Sequence, residues 1–154
     1  MNVFFADEQD EPLPAVGLRD LAEVALDAEG LAPNTEVTVL AVSDEQMADY
    51  NERFLSREGP TDVLAFPLEQ LVPGRPPAPA LNGPPLNLGD VVIAPSYVRK
   101  QAEARGVAFE DELALMVTHG ILHLLGYDHE DETEAEAMER REAEILKLVG
   151  RKRP

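Results

Sequence analysis

Residues 118–131, THGILHLLGYDHED, contain all three histidines of this 154-residue chain. In a helix, His119 and His123 are one turn apart and project from the same face, with Cβ atoms about 5–6 Å apart. Gly126 follows, and because glycine has no Cβ it adopts a positive φ at little cost and can end the helix sharply. The turn after it can bring His129 back over the helix end. The stretch therefore predicts a helix that ends in a three-histidine cluster.

This cluster favours a metal site. Neutral imidazoles bind zinc at about 2.0–2.1 Å, and three protein ligands with an open fourth position are typical of catalytic zinc. The chain has no cysteine, which excludes disulfides and thiolate ligands. We therefore expect His119, His123 and His129 to bind one zinc ion per chain, although three imidazoles also accept nickel or copper.

The spacing also bears on the reaction. The three histidines and Gly126 match the metzincin protease signature H-E-x-x-H-x-x-G-x-x-H, but Gly120 stands where that class has glutamate. In those enzymes the glutamate takes a proton from the zinc-bound water, so its absence disfavours proteolysis. Asp128, in the turn between two ligands, is our candidate catalytic residue for moving a proton. Support of a histidine from the second coordination shell is an equally open role for it.

Net charge argues against strong intrinsic binding to nucleic acid. Acidic residues outnumber basic ones 30 to 13, and the formal net charge is −17. Binding driven by counterion release needs clustered lysine and arginine. A local basic patch could still form from basic residues that lie together in the sequence, such as Arg53 with Arg57, Arg99 with Lys100 and Arg105, and 151-RKRP-154.

The termini and the apolar runs indicate no membrane association. The N-terminal sequence MNVFFADEQDEP lacks the basic region and long apolar core of a signal peptide. No apolar run approaches the roughly 20 residues that a membrane-spanning helix needs. We therefore expect a cytoplasmic protein.

The order of the predicted elements indicates an α+β fold, because strands and helices do not alternate steadily. One domain, residues 1–154, is expected to hold a small mixed four-stranded sheet and about five helices, including a zincin-like zinc helix. The strands are predicted at 2–5, 36–43, 61–68 and 89–94. The helices are predicted at 17–29, from a Ser43 cap to 54, from Pro95 to Gly106, at 109–125, and after a capping box of Thr133 and Glu136. The segment 73-PGRPPAPALNGPP-85, with six of the chain's 13 prolines, reads as a loop insertion.

Three segments together carry a family resemblance. Residues 119–129, HGILHLLGYDH, resemble the signature H-G-x-L-H-L-x-G-Y-D-H of the YbeY family of ribosomal RNA maturation endoribonucleases. Two further segments, 60-PTDVLAFP-67 and 88-LGDVVIA-94, resemble that family's P-T-D-V-L-S-F-P and L-G-D-I-V-I-S. The resemblance covers roughly residues 35 to 148.

The resemblance implies a single-strand-specific, metal-dependent endoribonuclease of the bacterial cytoplasm. Its implied roles are maturation of the 3′ end of small-subunit (16S) ribosomal RNA and ribosome quality control, with His119, His123 and His129 as zinc ligands. We expect ribosomal RNA, the small subunit and assembly proteins including a GTPase as partners. Many family members carry an arginine at the position of Leu55, and here Arg53 and Arg57 lie on either side of it.

Two alternatives to this function remain open from the sequence. The metzincin-like spacing is compatible with a zinc-dependent hydrolase of peptide or other acyl substrates. The chain could also be a non-enzymatic ribosome-assembly factor with a bound metal. The open fourth coordination position weighs against the second alternative, because structural zinc usually has four protein ligands.

Overall fold

A computed structural model describes residues 1–78 and 82–154. Its sheet forms from four segments rich in β-branched and other apolar residues, namely β1 (Asn2–Asp7), β2 (Thr35–Ala41), β3 (Val63–Pro67) and β4 (Leu86–Ile93). The strand order is β1-β2-β4-β3. β1 and β4 lie parallel to β2, and β3 runs antiparallel to β4 at the edge. The sheet is therefore mixed, as predicted.

Within the described residues five helices surround this sheet, and several begin or end where the sequence predicts. They are α1 (Ala15–Ala28), α2 (Asp44–Leu55), α3 (Pro95–Arg105), α4 (Phe109–Leu124) and α5 (Glu132–Leu148). The Ser43 hydroxyl accepts a hydrogen bond from the Gln46 backbone N–H at 3.1 Å and caps α2. Gly106 ends α3 with a φ of +69°. The α+β class with four strands and five helices is confirmed.

Several element boundaries differ from the predictions by one to three residues, and two of them have a visible local cause. α5 begins at Glu132, because the Asp131 carboxylate accepts the Glu134 N–H at 2.8 Å and caps the helix two residues before the predicted Thr133 cap. β4 begins at Leu86 rather than at residue 89, because its first residues pair with the start of β2. Residues 79–81 of the predicted proline-rich loop lie outside the described residues.

The core lies mainly on one face of the sheet, around α4. Eleven of the 16 residues of α4 are buried, and the helix packs against β3, β4, α1, α3 and α5. A smaller cluster, which includes Met47 of α2, covers the opposite face. Burial on several sides holds α4 rigidly, so side chains at its C-terminal end are well positioned for a site.

Across the described parts of the chain, every helix is too short or too polar to cross a membrane.

Candidate metal centre

A sharp turn at Gly126 creates the site. Gly126 has a φ of +99°, and a Cβ there would overlap the Leu71 carbonyl oxygen. The Tyr127 N–H returns to the Leu122 carbonyl at 3.0 Å and closes the last turn of α4. Only glycine fits this close approach, so the chain reverses here and brings His129 back to the helix end.

The three histidines meet at this turn. The Nε2 atoms of His119 and His123 are 3.0 Å apart. The ring centroid of His129 lies 5.5 Å from that of His119 and 5.1 Å from that of His123. One nitrogen from each ring lies within 4.8 Å of the others. Two imidazole nitrogens on one tetrahedral zinc are roughly 3.3 Å apart, so this donor set fits a single ion with small adjustments.

A buried carboxylate orients the first histidine. Nδ1 of His119 lies 2.8 Å from Oε2 of Glu142 on α5, whose side chain is only 1% exposed. Since a carboxylate accepts hydrogen bonds, Nδ1 of His119 carries the proton and Nε2 presents its lone pair to the cluster. Sequence reasoning missed Glu142. The sequence did contain a signal for its burial, because Glu142 lies on the apolar face of α5, four residues after Met138 and three before Ile145.

The cluster keeps His123 neutral. Burial lowers the pKa of His123 below its ordinary value of 6.5, and the neighbouring His119 and His129 lower it further. A neutral imidazole is the form that binds a metal. The environment of His123 therefore favours its ligand state near neutral pH.

Gly120 faces the sheet rather than the histidine cluster. A Cβ at this position would overlap Cγ1 of Val91 and would lie 3.3 Å from Cγ2 of Val63. α4 packs directly on β3 and β4 at this point. The glutamate of the metzincin pattern is therefore absent because the packing leaves no room for a side chain.

An open cleft of about 750 Å³ lies in front of the histidines. β3 forms one wall, and the turn 126–129 with the end of α4 forms the other. Leu55, Arg57 and Asn51 line it from α2 and the loop that follows. The cleft is thus large enough to admit a flexible polymer segment to the histidine cluster.

Comparisons with known proteins agree with this geometry. The model of the family described as endoribonuclease YbeY matches residues 6–150. The chain belongs to the YbeY endoribonuclease family. Curated relatives with that name include one from Thermobifida fusca, 44% identical over 95% of this chain and 92% of its own length. Another, from Renibacterium salmoninarum, is 39% identical over 100% of this chain and 97% of its own.

A solved structure supports the same fold. The solution structure of TM1509 from Thermotoga maritima is 27% identical in sequence, with a TM-score of 0.62. The similarity covers 96% of this chain and 91% of that one. The shared fold therefore covers the sheet, the helices and the histidine turn together.

Leu55 occupies the position at which the family resemblance implies an arginine. Its side chain lines the cleft and is 46% exposed. Arg57 is the sole lysine or arginine among the described residues that line the cleft. Its backbone is held in place, since its N–H donates to the Asn51 carbonyl at 3.2 Å while the Asn51 amide donates to the Gly59 carbonyl at 2.9 Å. Arg53 instead pairs with Asp49 at 3.4 Å and does not line the cleft.

The other predicted basic groups do not form a free patch on this YbeY protein. Each of five lies beside a carboxylate, in the pairs Arg99 with Glu11, Lys100 with Asp44, Arg105 with Glu112, Arg151 with Asp111 and Arg153 with Glu142. With so many acidic residues, most clustered cations find a partner within the protein. The charge that such a patch would offer RNA is therefore largely neutralised.

Asp128 and Tyr127 occupy the turn between the second and third histidines. Oδ1 of Asp128 accepts the backbone N–H of His129 at 2.8 Å, so this side chain supports the turn that carries His129. Asp128 also lines the cleft. Tyr127 packs against the core, and burial together with the nearby Glu29 raises its pKa to about 12. The phenol therefore stays protonated and is no base at neutral pH.

Proposed function

We propose that this protein is a zinc-dependent endoribonuclease specific for single-stranded RNA. It acts in 3′-end maturation of small-subunit (16S) ribosomal RNA and in ribosome quality control. One observation carries the proposal, namely three histidine nitrogens within 4.8 Å of one another on the wall of an open cleft, in a member of the YbeY family.

In this proposal, His119, His123 and His129 hold one zinc ion. Bound there, zinc supplies Lewis-acid chemistry toward a phosphodiester and its water nucleophile. The protein contributes a preset ligand geometry, because Glu142 fixes the His119 ring and Gly126 fixes the turn before His129.

The cleft selects for an unpaired strand. Its volume of about 750 Å³ lies in the range of small-molecule pockets, so a few nucleotides fit and a rigid duplex does not enter. Phe66 and Leu55 offer apolar surface to a base. The Arg57 guanidinium binds a phosphate oxygen pair, in the role that the family arginine would have had at position 55.

Proton transfer is assigned to Asp128. Gly120 offers no side chain, while Asp128 lines the cleft between two of the three histidines. Its Oδ1 is engaged by the His129 N–H, and its other oxygen is the one proposed to take or return a proton. An Asp128→Asn variant keeps the backbone hydrogen bond and removes the base, so it separates this role from turn support.

Partners supply most of the targeting. A net charge of −17 and a single cleft arginine favour weak, salt-sensitive binding to naked RNA. We therefore assign recognition of the precursor to the small subunit and to assembly proteins that include a GTPase. We further propose that the protein acts in the cytoplasm, with residues 1–154 as one catalytic domain.

The proposal is tested with the full chain, purified without a histidine tag. Metal analysis reports the bound ion, and cleavage is measured on single-stranded precursor RNA, on a matched duplex and on casein. We expect cleavage of the single strand only, its loss on chelation and its return with zinc. Arg53→Ala is a control that leaves the site intact, whereas His123→Ala abolishes cleavage. Wild-type RNA cleavage by the folded His123→Ala variant would overturn the proposal, and casein cleavage would favour the acyl hydrolase.

A further inference from the structure

The segment after α5, residues 149–154, folds back onto the helices instead of extending away from them. Arg151 contacts Asp111 at 2.6 Å near the start of α4. Two residues later, Nε of Arg153 donates to Oε1 of Glu142 at 3.2 Å. Both arginines belong to the group that the sequence offered as a basic patch for RNA. They are bound within the protein instead.

Arg153 is linked to the histidine cluster through Glu142. Glu142 uses one oxygen, Oε2, for Nδ1 of His119 and the other, Oε1, for Arg153. Its side chain is almost fully buried, so it has little water to stabilise its charge. Arg153, about one third exposed, supplies that charge partner from the surface. A buried carboxylate held on both oxygens is restricted to one orientation, and the His119 ring is restricted with it.

The neighbouring residue on α5 supports the other side of the site. The Arg141 guanidinium donates to the Ala28 carbonyl at 2.8 Å and lies 3.4 Å from the Glu29 carboxylate. Glu29 lies beside Tyr127, in the turn before His129. Glu142 therefore contacts the first histidine, and the preceding residue, Arg141, contacts Glu29 beside the turn that presents the third.

We infer that Glu142 and Arg153 are positioning residues for the metal centre. Arg153 holds Glu142, and Glu142 holds His119 with Nε2 turned toward the other two histidines. The inference rests on the metal-binding part of the proposed function. It assigns to Arg153 a structural task at the histidine cluster in place of a contact with RNA.

The experiment measures zinc affinity without RNA, by competition with a chromophoric chelator. Arg153→Met removes the charge partner and leaves Glu142 in place, and Glu142→Gln keeps the shape of the buried side chain. Arg151→Met is the matched control, because it removes an arginine from the same segment. Its partner Asp111 lies eight residues before His119, roughly 12 Å along the helix axis.

We expect the zinc dissociation constant to rise about 10–100-fold in Glu142→Gln and about tenfold in Arg153→Met. Arg151→Met should change it less than twofold, and Arg153→Lys should recover part of the loss. Nitrogen NMR of the metal-free wild type should show His119 protonated on Nδ1. Circular dichroism and thermal unfolding verify that each variant is folded.

Two results would overturn the inference. One is wild-type zinc affinity in both folded variants, and the other is His119 protonated on Nε2 in the metal-free protein. A wild-type protein that binds no zinc would instead refute the proposed function. RNA affinity separates the two roles of Arg153, since loss of RNA binding at unchanged zinc affinity would identify it as an RNA contact.

Discussion

Gly120 of α4 lies so close to Val91 of β4 that a Cβ added to the glycine would overlap Cγ1 of the valine. This contact sets the distance between α4 and the sheet. It also explains the difference between this helix and that of a metzincin, because the residue after the first histidine faces packed valines. The residue after the first histidine therefore cannot supply a general base.

The first prediction concerns this contact. Gly120→Ala should destabilise the protein by about 1–3 kcal/mol through overpacking, despite the better helix propensity of alanine. The matched control is Gly17→Ala in α1, where an added Cβ meets no atom within 4 Å. That control should be neutral or stabilise by up to about 1 kcal/mol. Urea unfolding measures both variants, and equal stabilities would contradict the close-packing argument.

The second prediction concerns the turn that presents His129. In Gly126→Ala, a side chain is placed at a φ of +99° and against the Leu71 carbonyl. The left-handed conformation alone costs about 1–2 kcal/mol, and relief of the overlap should move His129 and weaken zinc binding. Gly106→Ala is the control, because Gly106 also has a positive φ but open space around it. Only the first variant should lose zinc affinity, as measured by chelator competition.

Local spacing explains why much of the site was predictable. The distance from His119 to His123 and the glycine at 126 specify a helix, its end and a turn within eleven residues. No tertiary information is needed to bring these groups together. The same holds for the Ser43 cap of α2, which depends on a residue three positions away.

Contacts between distant segments account for what was missed. Glu142 lies 23 residues after His119, and Lys100 lies 56 residues after the Asp44 that neutralises it. Charge and spacing along the chain cannot define such pairs, because they depend on how helices pack. The prediction of a Thr133 cap was wrong for a different reason, because Asp131 caps α5 two residues earlier. The sequence shows Arg53 and Arg57 on either side of Leu55 without distinguishing them, whereas the geometry of the cleft separates Arg57 from Arg53.

The third prediction distinguishes those two arginines. Arg57→Ala should lower kcat/KM on single-stranded RNA roughly tenfold, because it removes a charge-assisted contact with phosphate. The dependence of log affinity on log salt should also become shallower by about 0.7. Arg53→Ala should leave both quantities unchanged, since Arg53 pairs with Asp49 outside the cleft. A larger effect from Arg53 than from Arg57 would refute the assignment.

The fourth prediction is a pH dependence of the metal-free protein. The pKa of His123 in the folded state lies below its ordinary value of 6.5, so the unfolded chain binds a proton at higher pH than the folded chain does. The stability that His123 contributes is therefore fully present above pH 6.5 and is lost as pH falls through the folded-state pKa. Thermal unfolding between about pH 5 and 8 should show this loss for the wild type and a smaller one for His123→Gln. Identical pH profiles for the two proteins would show that burial of this imidazole does not penalise its charged form.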